Sequence, residues 1–154
     1  MYKLSILGSM AFHVRLPVEH IYREGIMKVS KEDIDGAREL GMVVKLLAIG
    51  KRKGEEVQVR VHPTMIPKDH PLASVKGSYN AIMLNGSAVD VAVTVSAEEI
   101  ESIQLVNVSE ALETMYPLME PALESLAEQI CSTQSLEGLT YASENQYTSQ
   151  VLLD

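Results

Sequence analysis

Val89, Val91, Val93 and Val95 alternate with Asp90, Ala92 and Thr94, and this run constrains the fold more than any other segment. Successive side chains on a strand point to opposite faces, so one face here is all valine and the other small or polar. Such a strand needs neighbours to pair with and an apolar layer over its valine face. Val57, Val59 and Val61 repeat the pattern against Gln58, Arg60 and His62. Residues 42–49 are an apolar run with one charge, Lys45, and read as another strand. Residues 50–56, with Lys53-Gly54 at their centre, read as the hairpin turn between these two. Pro63 and Pro67 are expected to end the second arm. Residues 81–84 make a further short strand.

The remaining segments have helical spacing. Over residues 2–12, Leu4, Leu7 and Ala11 share one face, and Ile6 and Met10 widen it. This segment is apolar almost all round, which predicts burial on several sides. No Ser, Thr, Asp or Asn caps its start, so it reads as cut from something longer. Pro17 opens a turn of helix over 17–21. Ser30 and Asp33 form a capping-box-like pair ahead of Ile34, Ala37 and Leu40, with Gly41 as the stop, so a helix is expected over 31–40. Residues 97–105 read as a short helix, alone or followed by a strand. From Ser109 onward, Leu112, Met115, Leu118, Met119, Ala122, Leu123, Leu126 and Ile130 recur at three- and four-residue spacing. The opposite face carries Glu113, Glu120, Glu124 and Glu128, and Pro117 and Pro121 must kink or split the helix. The tail from Ser132 is polar, and its apolar end, 151–153, reads as a docked strand or as unstructured chain. Together these elements predict an α+β fold, a mixed β-sheet of about four to five strands with helices packed on one face.

Charge divides the chain sharply. Residues 1–86 hold all 13 Lys and Arg against 9 acids, a balance of +4, whereas residues 87–154 hold 12 acids and no Lys or Arg. Phosphate neutralisation needs cations, which argues against nucleic acid or anionic membrane as a partner of the acidic half. That half reads as a solubilising face, or else as a docking surface for a basic partner. No run of about 18 uncharged apolar residues exists, so no bilayer span is expected. The opening apolar stretch has neither the charged start nor the cleavage site of a secretory signal, which makes a cytoplasmic location the expectation.

Several chemistries lack their residues. The single Cys131 excludes an internal disulfide, and its place on an acidic helix is a poor setting for a reactive thiolate. His13, His20, His62 and His70 show no metal-ligand spacing. The glycines at 8, 25, 36, 41, 50, 54, 77, 86 and 138 include no Gly-x-Gly pair, so neither a dinucleotide cradle nor a P-loop is present. One residue stands out: Lys3 lies on the first turn of a helix built for burial. An ammonium there needs a carboxylate, a ligand anion or an exit to water, and at a helix edge its own stem can reach water.

Residues 2–85 resemble the catalytic, substrate-binding region of homoserine dehydrogenases. The likeness is carried by consecutive segments: Lys3-Leu4-Ser5-Ile6-Leu7-Gly8-Ser9-Met10-Ala11-Phe12; Ile21-Tyr22-Arg23-Glu24-Gly25-Ile26; Ile34-Asp35-Gly36-Ala37-Arg38-Glu39-Leu40-Gly41; Lys45-Leu46-Leu47-Ala48; Val61-His62-Pro63-Thr64-Met65-Ile66-Pro67; His70-Pro71-Leu72-Ala73; and Tyr79-Asn80-Ala81. Their joint order carries the signal, since each piece alone is weak. The resemblance implies an NAD(P)-dependent oxidoreductase that interconverts aspartate 4-semialdehyde and homoserine in threonine and methionine synthesis. It implies a catalytic role for Lys3, beside the reacting carbonyl, and a homo-oligomer, a dimer, paired through the sheet. It also implies that the Lys3 helix flanks a mixed sheet made by the runs near 45, 59 and 82.

This chain departs from the pattern in three ways. The family's aspartate one turn ahead of the lysine would fall before Met1, as would the nucleotide-binding domain. After Gly86 the family continues into a Gly-Ala-Gly-x-x-Pro-Thr segment, whereas this chain runs Ser87-Ala88-Val89-Asp90. The expectation is therefore a catalytic-region fragment over 1–86 followed by an acidic extension of unknown family over 87–154. Such a fragment is expected to hold no NAD(P) tightly by itself and to be inactive alone. The alternative is a non-enzymatic homo-oligomerising or interaction module derived from the same region.

Overall fold

Residues 42–67 form a hairpin longer than the apolar runs alone suggest. In the computed structural model, which describes residues 1–86 and 89–153, β2 (Met42–Lys53) and β3 (Glu56–Pro67) pair antiparallel from Met42↔Pro67 to Lys53↔Glu56. Ser87, Ala88, Asp154 and the Leu112 side chain lie outside the described residues. The turn is only Gly54 and Glu55, tighter than the one expected over 50–56. Gly54 has φ +61°, and glycine at the first loop position suits two-residue turns whose twist matches the strands. Residues 50–53 thereby join the ladder.

β3 also runs through Pro63 instead of ending there. A short strand, β1 (Tyr22–Arg23), lies parallel on its other edge, giving the order β1-β3-β2. The Glu24 N–H donates to the Val61 carbonyl at 2.8 Å. Backbone groups alternate between edges along a strand, so Pro63 and Pro67 turn their missing N–H toward the edge that Val61 uses, past the end of β1. The ladder to β2 loses no hydrogen bond.

The chain divides into two compact units, Met1–Ala73 and Ser74–Asp154. The first adds α1 (Tyr2–Phe12) and α2 (Lys31–Glu39) to the β1-β3-β2 sheet. α2 starts as its sequence predicts. The Ser30 hydroxyl accepts from the Asp33 N–H at 3.1 Å, and the Asp33 carboxylate accepts from the Ser30 N–H at 2.8 Å. That backbone donor, joined by the Ser30 hydroxyl, holds the Asp33 carboxyl below its ordinary value.

α1 spans the residues expected but not the burial. Leu4 and Gly8 are buried, whereas Tyr2, Ile6, Leu7 and Met10 are exposed. The helix is apolar all round, yet this unit offers one surface to pack against, and α1 lies on β2 and β3. Phe12 sits tightly against Gly50: a Cβ on Gly50 would lie 2.8 Å from Phe12 Cε2 and 3.2 Å from Cζ. Gly50→Ala is therefore expected to cost about 1–3 kcal/mol by overpacking. Urea denaturation checks this, and the cost should largely vanish in a Phe12→Ala background. An equal cost in both backgrounds would refute the ring contact as its cause.

In the second unit, β4 (Asn80–Asn85), β5 (Asp90–Val95) and β6 (Ile100–Val106) form an antiparallel sheet in chain order. The architecture is thus α+β, with its strands shared between two three-stranded sheets. The run near 82 lies in the second sheet, so it does not join the runs near 45 and 59. Register places Ile82, Leu84, Val91, Val93, Ile103 and Leu105 on one face, as the alternating valines require. The helix expected at the start of 97–105 is instead a turn: the Ser96 hydroxyl accepts from the Glu98 and Glu99 N–H groups at 3.3 and 3.0 Å. A serine followed by acids offers the same local hydrogen bonds in a turn as at a helix start.

The acidic helix splits at Pro117 into α3 (Glu110–Met115) and α4 (Met119–Thr133). Pro121 falls in the first turn of α4, where an N–H would have no helical acceptor. α4 buries Met119, Ala122, Leu123, Leu126 and Ile130 and lies against β6. The Gln134 side chain ties its end to that strand, accepting from the Ile100 N–H at 2.7 Å and donating to the Ile100 carbonyl at 3.1 Å. The tail ends in a helix, α5 (Gln146–Leu153), and not in a strand or unstructured chain. α5 packs on α4 with Ser149 buried, so a small polar residue sits where sequence patterning looks for a large apolar one.

Candidate functional site

α1 is held at its middle and its end, and this fixes where Lys3 stands. Ser5 and Ser9, one turn apart, both grip Leu16 on the returning chain. Ser5 Oγ donates to the Leu16 carbonyl at 2.5 Å, and Ser9 Oγ accepts from the Leu16 N–H at 3.0 Å. Gly8 lies between them, and a Cβ there would meet Leu16 Cδ1 at 2.8 Å. At the helix end His13 takes the left-handed conformation (φ 52°), while the Val14 N–H reaches the Ser9 carbonyl at 3.2 Å. Arg52 Nη1 donates to the Phe12 carbonyl at 3.2 Å, placing a cation at the negative end of the helix.

Lys3 is exposed on the first turn. The helical repeat of 3.6 residues places Ile6, Leu7 and Met10 on its flank, and these are 62%, 43% and 67% exposed. The Lys3 side chain thus stands at the rim of an apolar surface open to solvent. A cation in a helix first turn is unfavourable toward the helix dipole, and no acid shares that turn. The serine clasp and the Gly50 seat for Phe12 were not foreseen from sequence. The signal available was the spacing of Ser5 and Ser9 on an otherwise apolar helix.

The described residues do not fit a dinucleotide. A pyrophosphate cradle needs a glycine-rich turn leading from a strand into an α-helix. β6 is joined to α3 by residues 107–109, which contain no glycine, and Gly54 lies in a hairpin. A cleft lined by residues including Asp90, Val106, Asn107 and Ser109 measures about 120 Å³, far below a cofactor pocket. There the Asp90 carboxylate is spent on the side-chain amides of Asn85 and Asn107, at 2.8 and 3.1 Å. No group of three or more His, Cys, Asp or Glu able to hold a metal occurs among the described residues. Among them, too, no helix is long and apolar enough to cross a membrane.

Comparison with known proteins covers most of the chain. The homoserine dehydrogenase family profile matches residues 1–104. Homoserine dehydrogenase of Synechocystis sp. is 36% identical over 151 residues, covering 89% of this chain and 35% of that protein. The Corynebacterium glutamicum enzyme is 44% identical over 91 residues, covering 56% of this chain and 20% of its own length. Among solved structures, homoserine dehydrogenase of Thiobacillus denitrificans superposes with a TM-score of 0.58 at 39% identity, over 61% of this chain and 22% of that one. The S. aureus homoserine dehydrogenase structure at pH 6.5 superposes with a TM-score of 0.60 at 26% identity, over 95% of this chain and 33% of its own. The profile match and the Synechocystis and S. aureus likenesses run past Gly86, and this chain spans a fifth to about a third of the relatives' length. With two thirds of its residues matched by the family profile, the chain belongs to the homoserine dehydrogenase family.

Proposed function

We propose that this chain is the substrate-side catalytic portion of a homoserine dehydrogenase, and that it is inactive without a separate nucleotide-binding body. In this reading the reaction is the NAD(P)-dependent interconversion of aspartate 4-semialdehyde and homoserine, in cytoplasmic threonine and methionine synthesis. The observation that carries the proposal is Lys3 at the rim of the exposed Ile6, Leu7 and Met10 surface, on a helix whose sequence calls for more burial than its own unit supplies. A nucleotide-binding body seated there would cover the apolar flank and bring the reacting carbon beside the ammonium.

Lys3 would then act at the carbonyl oxygen. Its positive charge stabilises the alkoxide that develops as the aldehyde carbon is reduced, and its N–H supplies the proton that completes the alcohol. A nicotinamide held by another body would supply the hydride, since this chain's own glycines do not cradle one. Within this proposal residues 1–86 supply the catalytic region and residues 87–154 an acidic extension. The Synechocystis likeness, which covers 89% of the chain, supports assigning the extension to the same kind of enzyme.

Calorimetric titration with NADP and with NAD at millimolar concentration tests the proposal. No binding heat is expected from this chain alone, and a saturable heat with either cofactor would overturn the dependence on a second body. A second reading rests on β2, which is an edge strand of its sheet along all 12 residues. Open edges invite pairing, so the same surface would serve a homodimer that has no catalytic task. Light scattering distinguishes the two: a dimer favours this module, and a monomer leaves the edge for another part of the enzyme.

A further inference from the structure

The hairpin has two unlike faces. Register places Gly50, Ala48, Leu46, Val59, Val61 and Pro63 on the face where α1 seats Phe12. The opposite face carries Lys45, Lys51, Lys53 and Arg60, with His62, Thr64 and Gln58, and a single acid, Glu56, across from Lys53; Ile49 and Leu47 lie across from Arg60 and His62, and buried Ile66 closes the far end of the same face. Like charges on neighbouring strands repel, so a sheet face usually mixes signs. Here cations outnumber the one acid, Glu56, which lies at the turn end, and the central members, Lys45, Arg60 and His62, are half-buried.

Arg60 is also held in place. Its Nε–H donates to His62 Nε2 at 3.1 Å. A guanidinium can only donate, so Nε2 is the bare nitrogen of a neutral imidazole. The proton resides on Nδ1, which donates to the Pro63 carbonyl at 2.8 Å. Among the described residues no carboxylate lies within ion-pair distance of Arg60. Its Nη groups are a fork already oriented by a neutral partner, and a half-buried guanidinium calls for an anion.

We propose that Arg60, positioned by His62 on this basic face, anchors a binding site for a small oxyanion, a carboxylate or phosphate group that takes the guanidinium fork through two oxygens. Lys51, exposed on the same face, adds attraction without direct contact. The site lies on the hairpin face opposite α1, so it is separate from the role proposed for Lys3.

The test is an NMR titration of the whole chain with acetate and with inorganic phosphate, at ionic strength held constant with chloride. The expected result is saturable movement of the Arg60 Nε–Hε and His62 ring resonances. Arg60→Gln should weaken binding about tenfold or more, and Lys51→Gln about twofold. Should Arg60→Gln fail to fold, the wild-type titration and Lys51→Gln decide. Absence of saturation, or unchanged binding in Arg60→Gln, overturns the proposal. So does movement that follows protein concentration instead of added anion, because the occupant would then be an acidic side chain of another copy.

Discussion

Leu126→Ala is expected to cost the second unit about 2–5 kcal/mol, the range for emptying a well-enclosed leucine site. Leu126 is 2% exposed at the middle of α4, between buried Leu123 and Ile130. Neighbours on a rigid helix cannot close over the space, so the lost transfer energy and the cavity add. Urea denaturation should show a lower midpoint at unchanged slope. Ser149→Ala provides the contrast. Ser149 is 1% exposed, and its hydroxyl has no partner among the described groups. Removing an unpaired buried hydroxyl is neutral or stabilising. If the two substitutions cost the same, α4 and α5 do not form the core of this unit.

These contrasting positions explain what sequence could and could not disclose. Strand faces were legible wherever alternation was strict: the valines of β5 fixed their own face, and the register extended it to Ile82 and Ile103. The capping box of α2 was legible because both partners lie within one turn, Ser30 and Asp33. Illegible features depended on partners distant in sequence. Pro63 looked like a terminator because nothing local says which edge of β3 is open. α5 was missed because its contact with α4 runs through Ser149, and spacing of apolar residues does not register a small polar one. The burial of α1 was overstated for a related reason. Hydrophobicity reports what a helix needs covered, and the 62% exposure of Ile6 shows that its own unit does not supply the cover. Lys3 could be singled out from the sequence as a charge out of place, while its setting beside an open apolar flank required the structure.

Lys3→Ala is expected to lower turnover about 10²- to 10⁴-fold, the usual contribution of a positioned proton donor, once the rest of the enzyme is supplied. The assay is a chimera in which this chain replaces the matching 35% of the Synechocystis enzyme, followed through cofactor oxidation with aspartate 4-semialdehyde. Melting should be unchanged, because Lys3 is exposed and neither the Leu16 clasp nor the Phe12 seat uses it. Lys3→Arg then separates the two parts of the role. A guanidinium keeps the charge that stabilises the alkoxide but does not release a proton near neutral pH. It should recover part of the lost rate and leave a dependence on solvent or buffer as the proton source. Equal rates for the parent chimera and Lys3→Ala would remove Lys3 from the chemistry and leave it as a surface charge on α1. A loss in Lys3→Ala fully restored by Lys3→Arg would assign it to charge stabilisation alone.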